Sequence, residues 1–337
     1  MPEQRWAIEI RGLTKSFATT PVLRGIDLTV APGTVCALLG PNGAGKTTVV
    51  TILSTLLDAD GGTARVAGFD VRTDGARVRS AIGVTGQFSA VDTLLTGYEN
   101  LRLMADLRRL GRVEGRRRID ELLALFDLTD AAATPAGTYS GGMKRKLDLA
   151  MTLVGRPQVL FLDEPTTGLD PRSRRDLWSV VRDLVEDGVS ILLTTQYLDE
   201  ADRLAHRVAV LDGGRIVADD EPARLKQQVP GGRIDLHFTG PARAEEARRA
   251  LAGVWPAAAT GTSTDGAGLS LDLPAGGGVS ALRALLDRLD DRAVPVDRIE
   301  VTAPDLDDVF FALTATPTGT TSAPAHPLSR PTGKARP

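Results

Sequence analysis

One cysteine stands in the whole chain, Cys36. An intrachain disulfide is therefore excluded. Cys36 sits inside an apolar run, which makes it a buried, inert thiol rather than a reactive one. Long hydrophobic runs are also missing. None reaches the roughly 18 residues that a membrane-spanning helix needs. Met1 to Glu9 lacks the apolar stretch of a secretory signal. The expectation is a soluble, cytoplasmic chain that leaves any membrane work to a separate chain. There is no excess of positive charge either. The 40 basic and 43 acidic residues leave a net charge of −3, so electrostatics gives no case for nucleic acid as a partner. Sustained heptads are absent, which removes a long coiled coil. At 337 residues the chain is long enough for two domains, and 42% hydrophobic residues suffice for their cores.

What the chain does carry is organised around Gly40-Pro41-Asn42-Gly43-Ala44-Gly45-Lys46-Thr47-Thr48. Gly40 to Thr47 fits the phosphate-binding pattern G-x-x-x-x-G-K-[ST]. The apolar run Thr34 to Leu39 before it reads as a buried strand, and Val49 to Leu57 after it has helical spacing. Glycines let backbone N–H groups turn onto phosphates, and a helix aims the positive end of its dipole there. Lys46 adds a full charge near the β and γ phosphates, and the Thr47 hydroxyl can ligate Mg²⁺.

Further along, Val159 to Leu162 is a wholly apolar strand ending in Asp163 and Glu164. An aspartate at the carboxyl end of a buried strand is placed to hold Mg²⁺, and Glu164 to act on a water as general base. Ser140-Gly141-Gly142 reads as the capped start of a helix, a place where an anion can bind. Between these motifs, strands are expected at 7–13, 22–30, 82–85, 190–193 and 208–211. A small antiparallel sheet is expected beside a mostly parallel α/β core. Tyr98 to Phe126 reads as helical, and its many arginines as a solvated face with ion-pair partners.

After a linker near 229–232, the pattern is strand 234–238, helix 242–251, strand 254–259, strand 269–273, helix 279–289 and strand 296–301. This β-α-β-β-α-β order fits a ferredoxin-like unit. Leu306 to Leu313 reads as a closing helix. Residues 315–337 are Thr, Ser, Pro, Gly and Ala with almost no large apolar residue, the composition of a disordered tail.

The order of these pieces, with Gln87 after the 82–85 strand and Gly168-Leu169-Asp170 after Glu164, resembles the ATP-binding cassette of ABC transporters. The likeness covers roughly the first two thirds of the chain. It implies a RecA-like P-loop core with an antiparallel β subdomain, a helical subdomain at about 88–157, and a cassette spanning 1–230. Residues 231–314 would then be a C-terminal regulatory or dimerisation domain. The resemblance further implies that Phe17 stacks on adenine, although a core role for that ring stays open. Gln87 would touch Mg²⁺ and sense the membrane subunit. Ser140 to Met143 would close over ATP held by a second cassette, and Asp170 would act across that dimer. Gln196 stands where the family usually has a switch histidine, and would donate a hydrogen bond to the γ-phosphate.

Tyr139-Ser140-Gly141-Gly142-Met143, Thr194 to Asp202 and Pro304 to Phe310 narrow the likeness to ATPase subunits of daunorubicin-resistance exporters. That group implies ATP and Mg²⁺, a homodimer, a separate permease, an apolar drug or polyketide cargo, and a place at the cytoplasmic face of the membrane. A non-transport cassette ATPase and an importer subunit are the alternatives.

Overall fold

The computed structural model describes residues 6–86, 90–228, 233–251, 258–262, 268–272, 278–302 and 304–314. The expected linker at 229–232 and the tail from 315 therefore lie outside the described residues, as do Gln87 and Phe88.

The chain opens with β1 (Ile8–Phe17), β2 (Thr20–Val30) and β3 (Val35–Leu39), followed by α1 (Lys46–Leu53), β4 (Gly61–Val66), β5 (Phe69–Asp70), α2 (Gly75–Ala81) and β6 (Ile82–Thr85). Strands β2, β1, β4 and β5 form an antiparallel sheet in that order. Their inward residues Ile8, Ile10, Leu23, Ile26 and Leu28 pack with Val49, Ile52 and Leu53 of α1. The helix after the phosphate loop starts earlier and ends earlier than its spacing suggests. It stops at Leu53, and Thr55 turns into the left-handed region at φ 65°.

Next come α3 (Gly97–Leu107), α4 (Arg112–Leu125) and α5 (Gly141–Leu153). A capping box starts α3, with the Thr96 hydroxyl accepting from Glu99 N and the Glu99 carboxylate accepting from Thr96 N. The expected helix over 98–126 is two helices, broken where Arg109 takes φ 55° and Gly111 caps α4. The arginines there are more than a solvated face. Arg117 pairs with Glu121 as expected. Arg108 instead donates to the carbonyls of Arg79 and Ile82, and Arg118 to that of Leu153. These two side chains tie the helical layer to the ends of α2 and α5.

The core resumes with β7 (Val159–Asp163), α6 (Pro171–Glu186), β8 (Ser190–Thr195), α7 (Leu198–Leu204), β9 (Arg207–Asp212), β10 (Arg215–Asp220) and α8 (Pro222–Gln228). The second sheet has the order β10-β9-β3-β8-β7-β6. From β9 to β6 every pair is parallel. Every residue of β3, β7 and β8 is buried, which explains their unbroken apolar runs. Cys36 lies in this layer, and burial pushes its thiol up to about 12, so it is inert as expected. His206 is structural, its Nδ1 accepting from Val35 N at 3.1 Å.

The third sheet belongs to a unit of β11 (Arg233–His237), α9 (Pro241–Leu251), β12 (Ala258–Thr262), β13 (Gly268–Asp272), α10 (Gly278–Asp291) and β14 (Arg298–Thr302). The strand order is β12-β13-β11-β14, with every pair antiparallel. That is the ferredoxin-like arrangement. Ile234, Leu236, Leu269 and Leu271 pack with Ala247, Leu251, Leu285 and Leu289 of the two helices. The strand expected at 254–259 is found at 258–262, and 254–257 lie outside the described residues. The last helix, α11 (Leu306–Thr314), does not close this unit. Its Leu306 and Val309 pack against Leu39, Ala201, Val210 and Leu225 of the first core.

Candidate functional site

The parallel strands deliver the sequence motifs to one edge. Leu39 of β3 pairs with Thr195 of β8, and Thr194 pairs with Asp163 of β7. The phosphate loop, Gln196 and Glu164 each follow directly from these carboxyl ends, where open α/β sheets place their ligands.

The loop from Gly40 to Gly45 needs its glycines. A Cβ on Gly40 would sit 2.3 Å from the carbonyl oxygen of Leu211. Gly45 holds φ 109°, and a Cβ there would meet Leu23 at 2.8 Å. Pro41, Asn42 and Gly43 are exposed, while Ala44 is buried beneath them. Thr48, one residue past Thr47, lies in the first turn of α1. Lys46 is 5% exposed, and its ammonium donates to the carbonyls of Gly40 at 2.7 Å and Pro41 at 3.1 Å. Burial lowers its pKa from 10.5, and the carboxylates of Glu164 and Asp163 act against that. A buried cation thus waits between loop carbonyls and two acids.

Asp163 is buried, and one of its oxygens accepts from both the Thr194 and Thr47 hydroxyls, the latter at 3.4 Å. Glu164 is bent into the left-handed region at φ 47°. An ordinary residue takes that conformation only where its surroundings hold it there. Here Glu164 N donates to the Thr194 carbonyl at 3.0 Å and to its hydroxyl at 3.2 Å. The Glu164 side chain accepts from Thr167 at 3.4 Å. The two carboxylates meet different hydroxyls, Asp163 those of Thr194 and Thr47 and Glu164 that of Thr167, and so can take different tasks.

Among the described residues no three carboxylates, histidines or thiols come together as a cation cage. One hydroxyl and one carboxylate at Thr47 and Asp163 suit a cation that takes its other ligands from phosphate oxygens and water. Mg²⁺ binds in that way, so the donor set fits it. Gln87, expected to join them, lies outside the described residues.

Phe17 is 48% exposed with Lys15 Nζ 5.7 Å from its ring centroid, so it is not a core residue and is open to stacking. Ser140 caps α5, its hydroxyl accepting from Met143 N at 3.2 Å. Gly141 is open, whereas a Cβ on Gly142 would lie 2.4 Å from Ser173 Oγ. That Ser173 hydroxyl donates to Asp170 at 2.6 Å, and Asp170 also caps α6 by accepting from Arg172 N and Ser173 N. Gly142 thus packs closely against Ser173, which in turn is bound to Asp170. None of them makes a hydrogen bond to the phosphate loop among the described residues. Gln196 is half-buried just past Thr195. A cavity of about 700 Å³ lies at the opposite, amino ends of β7 and β8, lined by Trp6, Arg118, Pro157 and Ser190 and by none of the expected site residues.

Sequence reading misses Glu200, which is wholly buried in α7 and accepts from Trp178 Nε1 at 3.2 Å. Burial raises its pKa from 4.5, and the Trp178 bond opposes the shift. The folded chain therefore keeps a proton that the unfolded chain releases above that value. Stability should fall as pH rises from 4.5 through the raised value. Glu200→Gln keeps an acceptor for Trp178 and removes the titration. Denaturant unfolding at several pH values should give a flatter stability profile for this variant, and an unchanged slope would assign the pH dependence to other groups.

Residues 23–167 match the family described as "ABC transporter". The chain is 47% identical to the daunorubicin resistance ATP-binding protein DrrA2 of Streptomyces coeruleorubidus, over 94% of its own length and 98% of that protein. It is 45% identical to the daunorubicin/doxorubicin resistance ATP-binding protein DrrA of Streptomyces peucetius, over 92% and 93%. A solved ATP binding subunit of an ABC transporter superposes with a TM-score of 0.60 at 27% identity, covering 66% of this chain and 92% of that one.

Proposed function

The chain belongs to the ATP-binding proteins of ABC transporters, in their daunorubicin-resistance group, and we propose that it hydrolyses ATP to power drug efflux through a separate permease. The observation that carries the catalytic part is Glu164, held in a left-handed turn beside Asp163 and Lys46.

In this reading the loop N–H groups and Lys46 take the β and γ phosphates, with Lys46 exchanging its carbonyl partners for phosphate oxygens. Phe17 lies under the adenine. Thr47 and Asp163 would hold Mg²⁺, which would supply charge neutralisation at the transferring group. Glu164 takes the proton of the attacking water. Gln196 donates one neutral hydrogen bond to the γ-phosphate. Ser140 to Gly142 and Asp170 face a second copy, whose ATP they cover, so hydrolysis belongs to the homodimer. The cargo in this reading is an apolar drug or polyketide-type compound, in keeping with the drugs named for the relatives.

Among the described residues no helix is long and apolar enough to cross a membrane. We place the chain at the cytoplasmic face, docked on the permease. Leu94 is 87% exposed on a loop fixed from below. Asn100, wholly buried, accepts from Asp92 N at 2.9 Å and donates to the Asp92 and Thr96 carbonyls. A rigid loop offering one large apolar side chain suits a helix-end contact. Leu94→Cys should crosslink to the permease in native membranes. Capture of soluble proteins alone would count against the docking and against the exporter reading.

The cassette, in this reading, spans 1–230 with its helical part at about 88–157. The ferredoxin-like unit and α11 supply none of the groups invoked for hydrolysis, and we read residues 231–314 as stabilising or regulating the dimer. A chain ended after Gln228 that still binds ATP but dimerises more weakly supports this. One that dimerises as the full chain does removes it.

A further inference from the structure

Helix α5 buries a charge pair. Arg145 and Asp148 stand one turn apart, with side chains 11% and 3% exposed and 3.2 Å between them. Taking two charges out of water is costly, and packed apolar residues often serve stability as well. The pair's partners indicate another purpose.

Among the described residues, the other hydrogen bonds of Arg145 end on backbone carbonyls at the catalytic edge. Its Nε donates to Pro165 at 2.8 Å, Nη1 to Gly86 at 3.0 Å and Nη2 to Asp163 at 3.4 Å. Asp163 and Pro165 are the residues on either side of Glu164. Asp148 uses its second oxygen to accept from Ala90 N at 2.9 Å. Gly86 and Ala90 lie just before and just after residues 87–89. Burial lowers the pKa of the Arg145 guanidinium, and Asp148 is the first charge that opposes this. Asp148 therefore both orients the fork and offsets part of the cost of burying its charge. A planar guanidinium can reach three carbonyls at fixed angles, which a lysine cannot.

The same helix begins at Ser140. Arg145 lies five residues on, about 7.5 Å along a rigid helix. The helix end that faces a second copy and the clamp on Glu164 are therefore parts of one body.

We propose that Arg145, oriented by Asp148, is a positioning residue. It fixes the strained Glu164 turn and registers it against Gly86 and Ala90, so that α5 passes the docking of the second copy to the catalytic carboxylate. This rests on Glu164 being the base. Arg145 touches no substrate itself.

The test compares Arg145→Lys and the double variant Arg145→Met with Asp148→Asn against wild type, with Glu164→Gln in the same assay. The double variant removes both charges of the pair together, and the new asparagine can still accept from Ala90 N, so the chain should fold. Its kcat should fall about 10²-fold, the size of a misplaced catalytic group, with the KM for MgATP nearly unchanged. Arg145→Lys should keep the unfolding temperature near wild type without restoring kcat. A structural role predicts the reverse, with kcat per ATP-binding site intact and the loss confined to stability. Wild-type kcat in the double variant, or full rescue by lysine, overturns the proposal. If Glu164→Gln is inactive in that assay, the reading of the function survives that failure. Absence of hydrolysis by wild type would overturn both.

Discussion

Replacing Glu164 with Gln should lower ATP turnover by about 10²–10⁴-fold, the usual cost of losing a general base. The substitution is nearly isosteric. The left-handed turn is held by backbone bonds to Thr194, which the variant keeps. The Thr167 hydroxyl can still donate to the amide oxygen. What disappears is the proton acceptor. ATP should therefore bind, the dimer should close, and the closed form should accumulate because hydrolysis no longer opens it. Phosphate release measures the first effect, and gel filtration with ATP the second. A variant that turns over at the wild-type rate would move the base elsewhere.

The second large effect belongs to Lys46. Lys46→Met keeps the length of the side chain and removes its charge. In the free protein the variant leaves the Gly40 and Pro41 carbonyls and the neighbouring acids Glu164 and Asp163 without their cation, so its own unfolding temperature is the baseline for the ATP effect. With ATP the loss is direct. Hydrogen bonds to charged groups are worth about 1.5–3 kcal/mol, so affinity should weaken roughly 10- to 150-fold. The rise in unfolding temperature that ATP produces should shrink accordingly, since ligand stabilisation follows affinity. An undiminished rise would show that Lys46 does not contact the phosphates.

Both residues are legible in the sequence, and for a physical reason. The phosphate loop and the Asp163-Glu164 strand end are local patterns, set by glycine, one lysine and runs of buried residues. The parallel core is equally legible, because strands buried on both faces carry unbroken apolar runs such as Val35–Leu39, Val159 to Leu162 and Ile191 to Leu193. The left-handed turn at Glu164 is not, since Thr194 enforces it from 30 residues away. Nothing local sets Arg145 apart from the lysines beside it, because its targets at Gly86 and Pro165 lie 59 and 20 residues distant. The break between α3 and α4 is marked by Gly111, but the apolar spacing on either side masks it. For α11 the spacing of Leu306 and Val309 identifies a helix and its buried face. Nothing in that spacing says that the face packs on α7 and α8 instead of on its own sheet.

Whether this edge of the sheet hydrolyses ATP decides the assignment of every residue placed there. The direct measurement is phosphate release by the full chain, at concentrations that favour the dimer, with and without Mg²⁺ and beside Glu164→Gln. Saturable release that needs Mg²⁺ and disappears in the variant is the expected result. Tight ATP binding with no phosphate release under any of these conditions, or release that the variant retains, would refute catalysis by Glu164 at this edge.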